Sequence, residues 1–452
     1  MAVNSKLVQE SPSLWARLKD IVLPPIFWIA NRLDSFLIVR VFFVVPMAVA
    51  WAVWYFWTNV GTFIKNVYLR ITGASERKKM EKNAQKALQQ KHRSTESFKF
   101  PSDHIIRTPE YRFERLADWK FTPRYFEVKG LRVHYVDEGP REGDQNWSGE
   151  TIVLMHGNPT WSYMYRNVIP VLAERGHRVL ALDWIGMGRS DKLVDESDYD
   201  LDLHRDTFKI FVYNLKLKNL TLVLQDWSGP IVLLSLPDLP SNTASRLLIT
   251  DTFLPPEKIS DASLSAMALI FTWLVYTTTF GHFMTVSGVI RFMAPHVKSA
   301  AVEGYTAPFP SYKYEAGVRV FPKLCPLPYA RSPVVKAYAP RVLPGVSSQI
   351  EKAAHVGASL DRFRAFANGF KNPVGVVYGE HDDLFKDVRK VFLSKELFPD
   401  EAFSWIGRKV VVIRSAGHYS PEDKPDVFTE ILLDFLRGEK PSTGLPIVLA
   451  NQ

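Results

Sequence analysis

Cysteine is nearly absent: Cys325 is the single one in 452 residues. One thiol closes no internal disulfide and builds no thiolate metal site, so disulfide scaffolds and Cys-based zinc modules are excluded. The lone thiol fits a reducing compartment. Formal charge is missing from two stretches. The 24 residues from Val41 to Ile64 (VFFVVPMAVAWAVWYFWTNVGTFI) carry none, and neither do the 27 from Ser263 to Val289, where His282 is the one ionisable side chain. Positive charge is confined as well. Between Lys65 and Lys99 ten Lys and Arg stand against three Asp and Glu, which accounts for most of the net +9. The rest of the chain is close to neutral, so nucleic acid is not an expected partner. No internal repeat is present.

The Val41–Ile64 run is long enough to cross a hydrocarbon layer of about 30 Å. It holds Trp51, Trp54, Tyr55 and Trp57, aromatics favoured at a membrane interface, and a basic segment follows it. It begins too deep in the chain for a secretory signal. Residues 1–72 are therefore expected to be an N-terminal membrane-associated helix region, spanning, re-entrant or interfacial. The catalytic domain is then expected on the cytosolic side, with membrane lipids as partners. Residues 73–120 read as a basic linker that attracts anionic headgroups.

Beyond the linker, short apolar runs alternate with amphipathic segments. RYFEV and LRVHYVDE flank a Lys129-Gly130 turn; TIVLM, RVLALD, LTLVLQ, RLLIT, PVGVVY and KVVVIR follow. This alternation specifies an α/β domain with a mainly parallel sheet covered by helices on both faces. A helical, aromatic-rich insert over 252–344 interrupts it between two sheet strands. That placement suits a lid over the carboxyl ends of the strands, where such sheets bind ligands. The sheet domain is thus divided into 121–251 and 345–440, with a tail over 441–452.

The segment Leu222-Val223-Leu224-Gln225-Asp226-Trp227-Ser228-Gly229 runs from a strand through a sharp turn into a helix. This is the setting of a nucleophile elbow, with aspartate at the apex. Ser228 lies two residues past the apex with no G-x-S-x-G around it, so a serine nucleophile is disfavoured. Asp226 alone could equally cap the following helix. As a nucleophile, a carboxylate displaces a leaving group from saturated carbon and leaves an ester that water can cleave.

Several segments resemble haloalkane dehalogenases of the α/β-hydrolase fold: HGNPTWSY at 156–163, DWIGMGRSDK at 183–192, QDW at 225–227, YTAPFP and YEAGVRVFPK between Tyr305 and Lys323, and AGHYSPEDKP at 416–425. The resemblance covers most of Phe121 to Gly438. The HGNP stretch is shared with epoxide hydrolases; the QDW turn and the lid segment are the more specific part. The resemblance implies Asp226 as nucleophile and His418 as base. It places the acid partner at Asp382, with Asp251 as the alternative, at a position where some relatives carry a glutamate. Asn158 and Trp227, or Trp227 with Trp273 of the lid, would hold the departing halide, and the N–H groups of Asn158 and Trp227 would form the oxyanion hole. The expected reaction takes a lipophilic 1-haloalkane and water to a primary alcohol and halide, without metal or organic cofactor. An epoxide hydrolase would use the same aspartate and histidine but needs a lid tyrosine to protonate the ring oxygen; Tyr276, Tyr305, Tyr312 and Tyr314 are available. A non-catalytic or luciferase-like relative is a further alternative. The uncharged lid run suggests that part of the lid faces lipid.

Overall fold

The computed structural model describes residues 98–254, 285–294, 297–324, 346–385 and 388–451. The chain divides into two units, Met1–Phe100 and Pro101–Gln452, and every element below belongs to the second. The first two sheet strands, β1 (Arg124–Val128) and β2 (Leu131–Glu138), form a hairpin in which Val128 pairs with Leu131. Both turn residues, Lys129 and Gly130, have positive φ (49° and 84°). Two-residue turns of that hand match the twist of the flanking strands.

The remaining strands are β3 (Thr151–Met155), β4 (Arg178–Leu182), β5 (Leu220–Asp226), β6 (Ala244–Thr252), β7 (Val374–Gly379), β8 (Val410–Ile413) and β9 (Ile447–Ala450). They build one nine-stranded sheet in the order β9-β8-β7-β6-β5-β3-β4-β2-β1. β3 to β8 pair in parallel; the hairpin and β9 join antiparallel at opposite edges. β5 and β7 are buried at every position. This is why their sequences are continuous apolar runs and not alternating ones.

Helices cover the sheet: α1 (Ile169–Glu174), α2 (Leu201–Asn214), α3 (Ser228–Leu233), α4 (Val286–Met293), α5 (Ser299–Thr306), α6 (Ala316–Leu324), α7 (Val346–Gly369) and α8 (Pro425–Arg437). Asp200 starts α2 by accepting the Leu203 N–H at 2.7 Å, a side-chain cap on an orphan donor. Gly438 ends α8 in the left-handed region (φ 70°), the usual way a helix releases its last carbonyls. Between them Phe428, Ile431, Leu432 and Phe435 form the buried stripe that seats α8 on the core.

Two segments do more than their sequence indicates. Within the stretch read as linker, residues 101–120 belong to the catalytic unit. Ile105–Ile106 pairs with Lys192–Leu193, and Phe113 and Trp119 enter the main core beside Trp161. The tail supplies β9, with Ile447 opposite Ile413. Helices α4, α5 and α6 lie in the insert expected to be helical. Among the described residues no helix is long and apolar enough to cross a membrane. The expected anchor over 1–72, most of the uncharged lid run, Trp273 and Tyr276 lie outside the described residues.

Candidate active site

β5 ends on Asp226, whose φ of 52° turns the chain back sharply into α3. A non-glycine residue is seldom held there, and such strain concentrates where a side chain must be presented. The surroundings leave no room for alternatives. A Cβ on Gly157 would lie 2.1 Å from Asp226 Oδ1, and one on Gly229 would lie 2.0 Å from Thr252 Oγ1. Ser228 donates its hydroxyl to the Gln225 and Met155 carbonyls at 2.8 and 3.0 Å. It locks the turn and is not free to attack.

The loop after β3 supplies the second wall. The Asn158 N–H donates to Asp226 Oδ1 at 2.7 Å, and the Asn158 carboxamide donates to the Val318 carbonyl of α6 at 3.2 Å. Asp183 holds this loop from beneath, accepting the Ser162 N–H at 2.8 Å, the Arg189 N–H at 2.9 Å and His134 Nδ1 at 2.8 Å. Burial would raise its pKa, but His134 and the converging donors bring it down to about 2. His156 is framework: its Nδ1 donates to Gly157 O and its Nε2 accepts the Trp184 N–H. Burial drives its pKa down, so it is neutral. The HGNP and DWIGMGRSDK segments are therefore two halves of one scaffold.

His418 follows β8 and is 2% exposed, so water does not screen its partners. Its Nε2 lies 3.5 Å from Asp226 Oδ2 and its Nδ1 lies 3.3 Å from Asp382 Oδ1. These are ion-pair distances, and among the described residues no aligned bond forms at Nδ1; catalytic hydrogen bonds often tighten only around a reacting group. Burial lowers the imidazole pKa, but Asp382 and Asp226 together outweigh it and hold it well above the ordinary value. The sign makes a test. Asp226→Asn removes one of the two charges that favour imidazolium, so the His418 pKa should fall, read from its ring resonances by NMR. An unmoved resonance titration would mean that Asp226 is not coupled to the histidine.

The two candidate acids are distinguished by their contacts. Asp382 faces His418 and accepts the Phe385 N–H at 3.2 Å. Asp251, at the end of β6 with φ 43°, is turned into the scaffold. Its Oδ1 accepts the Gly379 N–H at 2.7 Å, and Oδ2 accepts Thr250 Oγ1 and Ser420 Oγ. Burial and the neighbouring Asp382 push its pKa well above the usual carboxylate range.

Aromatic rings enclose the approach to Asp226. Trp227 stands edge-on to Phe253 (5.1 Å between centroids) and to Phe321 of α6 (5.4 Å); Phe253 stacks on Phe385 (4.9 Å), which meets the His418 ring at 5.2 Å. The Trp227 indole N–H makes no hydrogen bond among the described residues. Sequence reasoning missed Phe253, Phe321, Phe385 and Ser420. Their phenylalanines look like any core aromatic until the strand ends bring them together, although Phe321 sits inside the YEAGVRVFPK segment. Among the described residues no group of three or more His, Cys, Asp or Glu is arranged to hold a metal ion.

A family model for the alpha/beta hydrolase fold matches residues 150–278. A haloalkane dehalogenase of Mycobacterium marinum is 37% identical over 228 residues, covering 49% of this chain and 73% of that enzyme. Haloalkane dehalogenase 1 of Mycobacterium tuberculosis is 40% identical over 228 residues, 49% of this chain and 72% of its own. Among solved structures, the tetrameric haloalkane dehalogenase DpaA from Paraglaciecola agarilytica superimposes with a TM-score of 0.56 at 27% identity, over 70% of this chain and 94% of that one. With an aspartate at the elbow, a histidine against it and identities of this size across most of the relatives' length, the chain belongs to the haloalkane dehalogenase family of α/β-hydrolase enzymes.

Proposed function

We propose that this protein hydrolyses a lipophilic 1-haloalkane through an ester on Asp226. The observation that carries the reading is the convergence, at one apolar-walled point, of the Asp226 carboxylate, His418 Nε2 and the Asn158 N–H. Asp226 Oδ2 attacks the halogen-bearing carbon as the carbon–halogen bond breaks. The halide leaves toward the Trp227 indole N–H and the second Asn158 carboxamide N–H, the first being held by Val318. Such donors stabilise an anion in a water-poor site. His418, oriented by Asp382, then takes a proton from the water that attacks the ester. The Asn158 and Trp227 backbone N–H groups receive the oxyanion, and Trp273 of the lid is a second indole candidate for the halide.

The lid tyrosines among the described residues, Tyr305, Tyr312 and Tyr314, support this reading over an epoxide hydrolase. Tyr305 is fully buried and donates to Glu422 Oε2 at 2.7 Å; Tyr312 is exposed, with the Arg319 guanidinium 3.6 Å over its ring; Tyr314 packs at the margin of the core. Tyr305 is thus held by Glu422, and Tyr312 lies beneath Arg319. Trp227→Phe keeps the apolar wall and removes one halide donor. Halide release should fall about 10²-fold or more, with any epoxide opening by the same protein falling far less. Equal losses on both substrates would reduce Trp227 to a packing role.

The uncharged Val41–Ile64 run tethers the enzyme to a membrane, from which apolar substrate partitions to the site. Full-length protein should float with liposomes, and Val45→Asp/Val53→Asp should abolish flotation. Flotation unaffected by both charges would remove the anchor.

A further inference from the structure

Gln225 precedes the nucleophile on β5 and is fully buried. Its carboxamide nitrogen donates to the His418 carbonyl at 3.1 Å and faces His418 Nε2 at 3.4 Å. A carbonyl acceptor fixes which end of the amide points there, because the carboxamide oxygen would repel it. Among the described residues the carboxamide oxygen, Oε1, is buried without a partner. A buried acceptor left unpaired is destabilising, a cost that an apolar side chain of the same shape would avoid. Stability alone therefore argues against glutamine here.

The groups facing His418 come from several elements: Asp226 and Gln225 from β5, Asp382 from the turn after β7, the Phe385 ring beyond it, and Tyr419 from the histidine's own loop, with Asp251 at the end of β6 nearby. In the free enzyme the two nearest carboxylates favour imidazolium. Once Asp226 is an ester its charge is gone, and the polar group left facing Nε2 is an N–H donor. A donor there repels an Nε2 proton and donates to an Nε2 lone pair.

We propose that Gln225 is a positioning residue for ester hydrolysis, holding His418 as the neutral Nδ1-protonated tautomer with Nε2 open to the proton of the hydrolytic water. This rests on the roles given above to Asp226 and His418. In the step it serves, the water oxygen bonds to the ester carbonyl carbon while one water proton passes to Nε2. The acyl–oxygen bond then breaks, the alkoxide takes that proton and leaves as alcohol, and the carboxylic acid remaining on Asp226 gives its proton to Nε2, restoring the imidazolium whose own proton passed to water once the ester had formed. Gln225 touches neither bond; it sets the protonation state of the base.

The test uses the full chain with n-hexyl bromide, following the bromide burst and the decay of the alkyl-enzyme by rapid quench and intact mass across pH. In Gln225→Leu the burst should persist while decay slows about tenfold or more, and the pH limb governed by His418 should move up by about one unit. Gln225→Glu, nearly isosteric, should move the limb further up, because a carboxylate accepts a proton where the amide offers one. It also supplies the readout if the leucine variant does not fold. Equal slowing of burst and decay, slower decay with an unmoved limb, or no slowing overturns the proposal. Failure of the underlying reading looks different: the wild type would show no bromide burst, or His418→Phe would form no adduct.

Discussion

His418→Phe should convert this enzyme from a catalyst into a single-turnover alkylation reagent. Attack by Asp226 needs only an ionised carboxylate and a halide acceptor, and the substitution removes neither. Hydrolysis of the ester needs a base at Nε2, 3.5 Å from Asp226 Oδ2, and general-base catalysis contributes about 10²–10⁴-fold. Steady-state turnover should fall by at least that factor, while intact mass rises by one alkyl group per chain and one halide is released. Asp226→Asn in the same background should show no adduct. Unmodified His418→Phe protein, under conditions where the wild type turns over, would remove Asp226 from the role of nucleophile.

The largest effect on stability is expected away from the reacting atoms. Glu422, four residues after His418, accepts Arg166 Nη1 at 2.5 Å, Arg166 Nη2 at 2.9 Å and the Tyr305 hydroxyl at 2.7 Å. Both ionic side chains are about nine-tenths shielded from solvent, and the Arg166 guanidinium lies 4.2 Å over the Tyr163 ring. The cluster ties together the loop after β3, α5 of the insert and the turn that carries the histidine. Glu422→Leu leaves a buried guanidinium unpaired, at a cost of about 3–5 kcal/mol. Arg166→Met combined with Glu422→Leu should recover most of that, because it removes the orphaned charge too. Chemical denaturation of the three variants measures it. A single variant near wild-type stability, or a double variant no better than the single, would show that the pair is solvated and weak.

Much of the fold was legible because a buried parallel sheet has a plain sequence signature. TIVLM, RVLAL and LTLVLQ are strands in the expected places, and the Lys129-Gly130 turn is a hairpin turn. The reason is local: continuous apolar runs of this length satisfy both faces of a covered strand. Residues 101–120 and the tail were not legible. Phe113, Trp119 and the IVLA of β9 are ordinary in composition, and their roles depend on surfaces built by distant parts of the chain. The same holds for the choice of acid. Asp251 lies at the end of β6 and Asp382 in the turn just after β7, and nothing local separates them.

By itself, then, the sequence determined the α/β domain with its insert, the aspartate at the elbow and the histidine turn, since each is written in consecutive residues. Tertiary structure decided the rest. It turned Asp251 into a scaffold of Gly379 and Ser420 and left Asp382 facing His418. It gathered Phe253, Phe321 and Phe385 into one wall and set the Gln225 amide against the imidazole. The physical reason is that a side chain's charge state and partners depend on what approaches it through space. At this site those groups come from residues up to 193 positions apart, as Gln225 and His418 are.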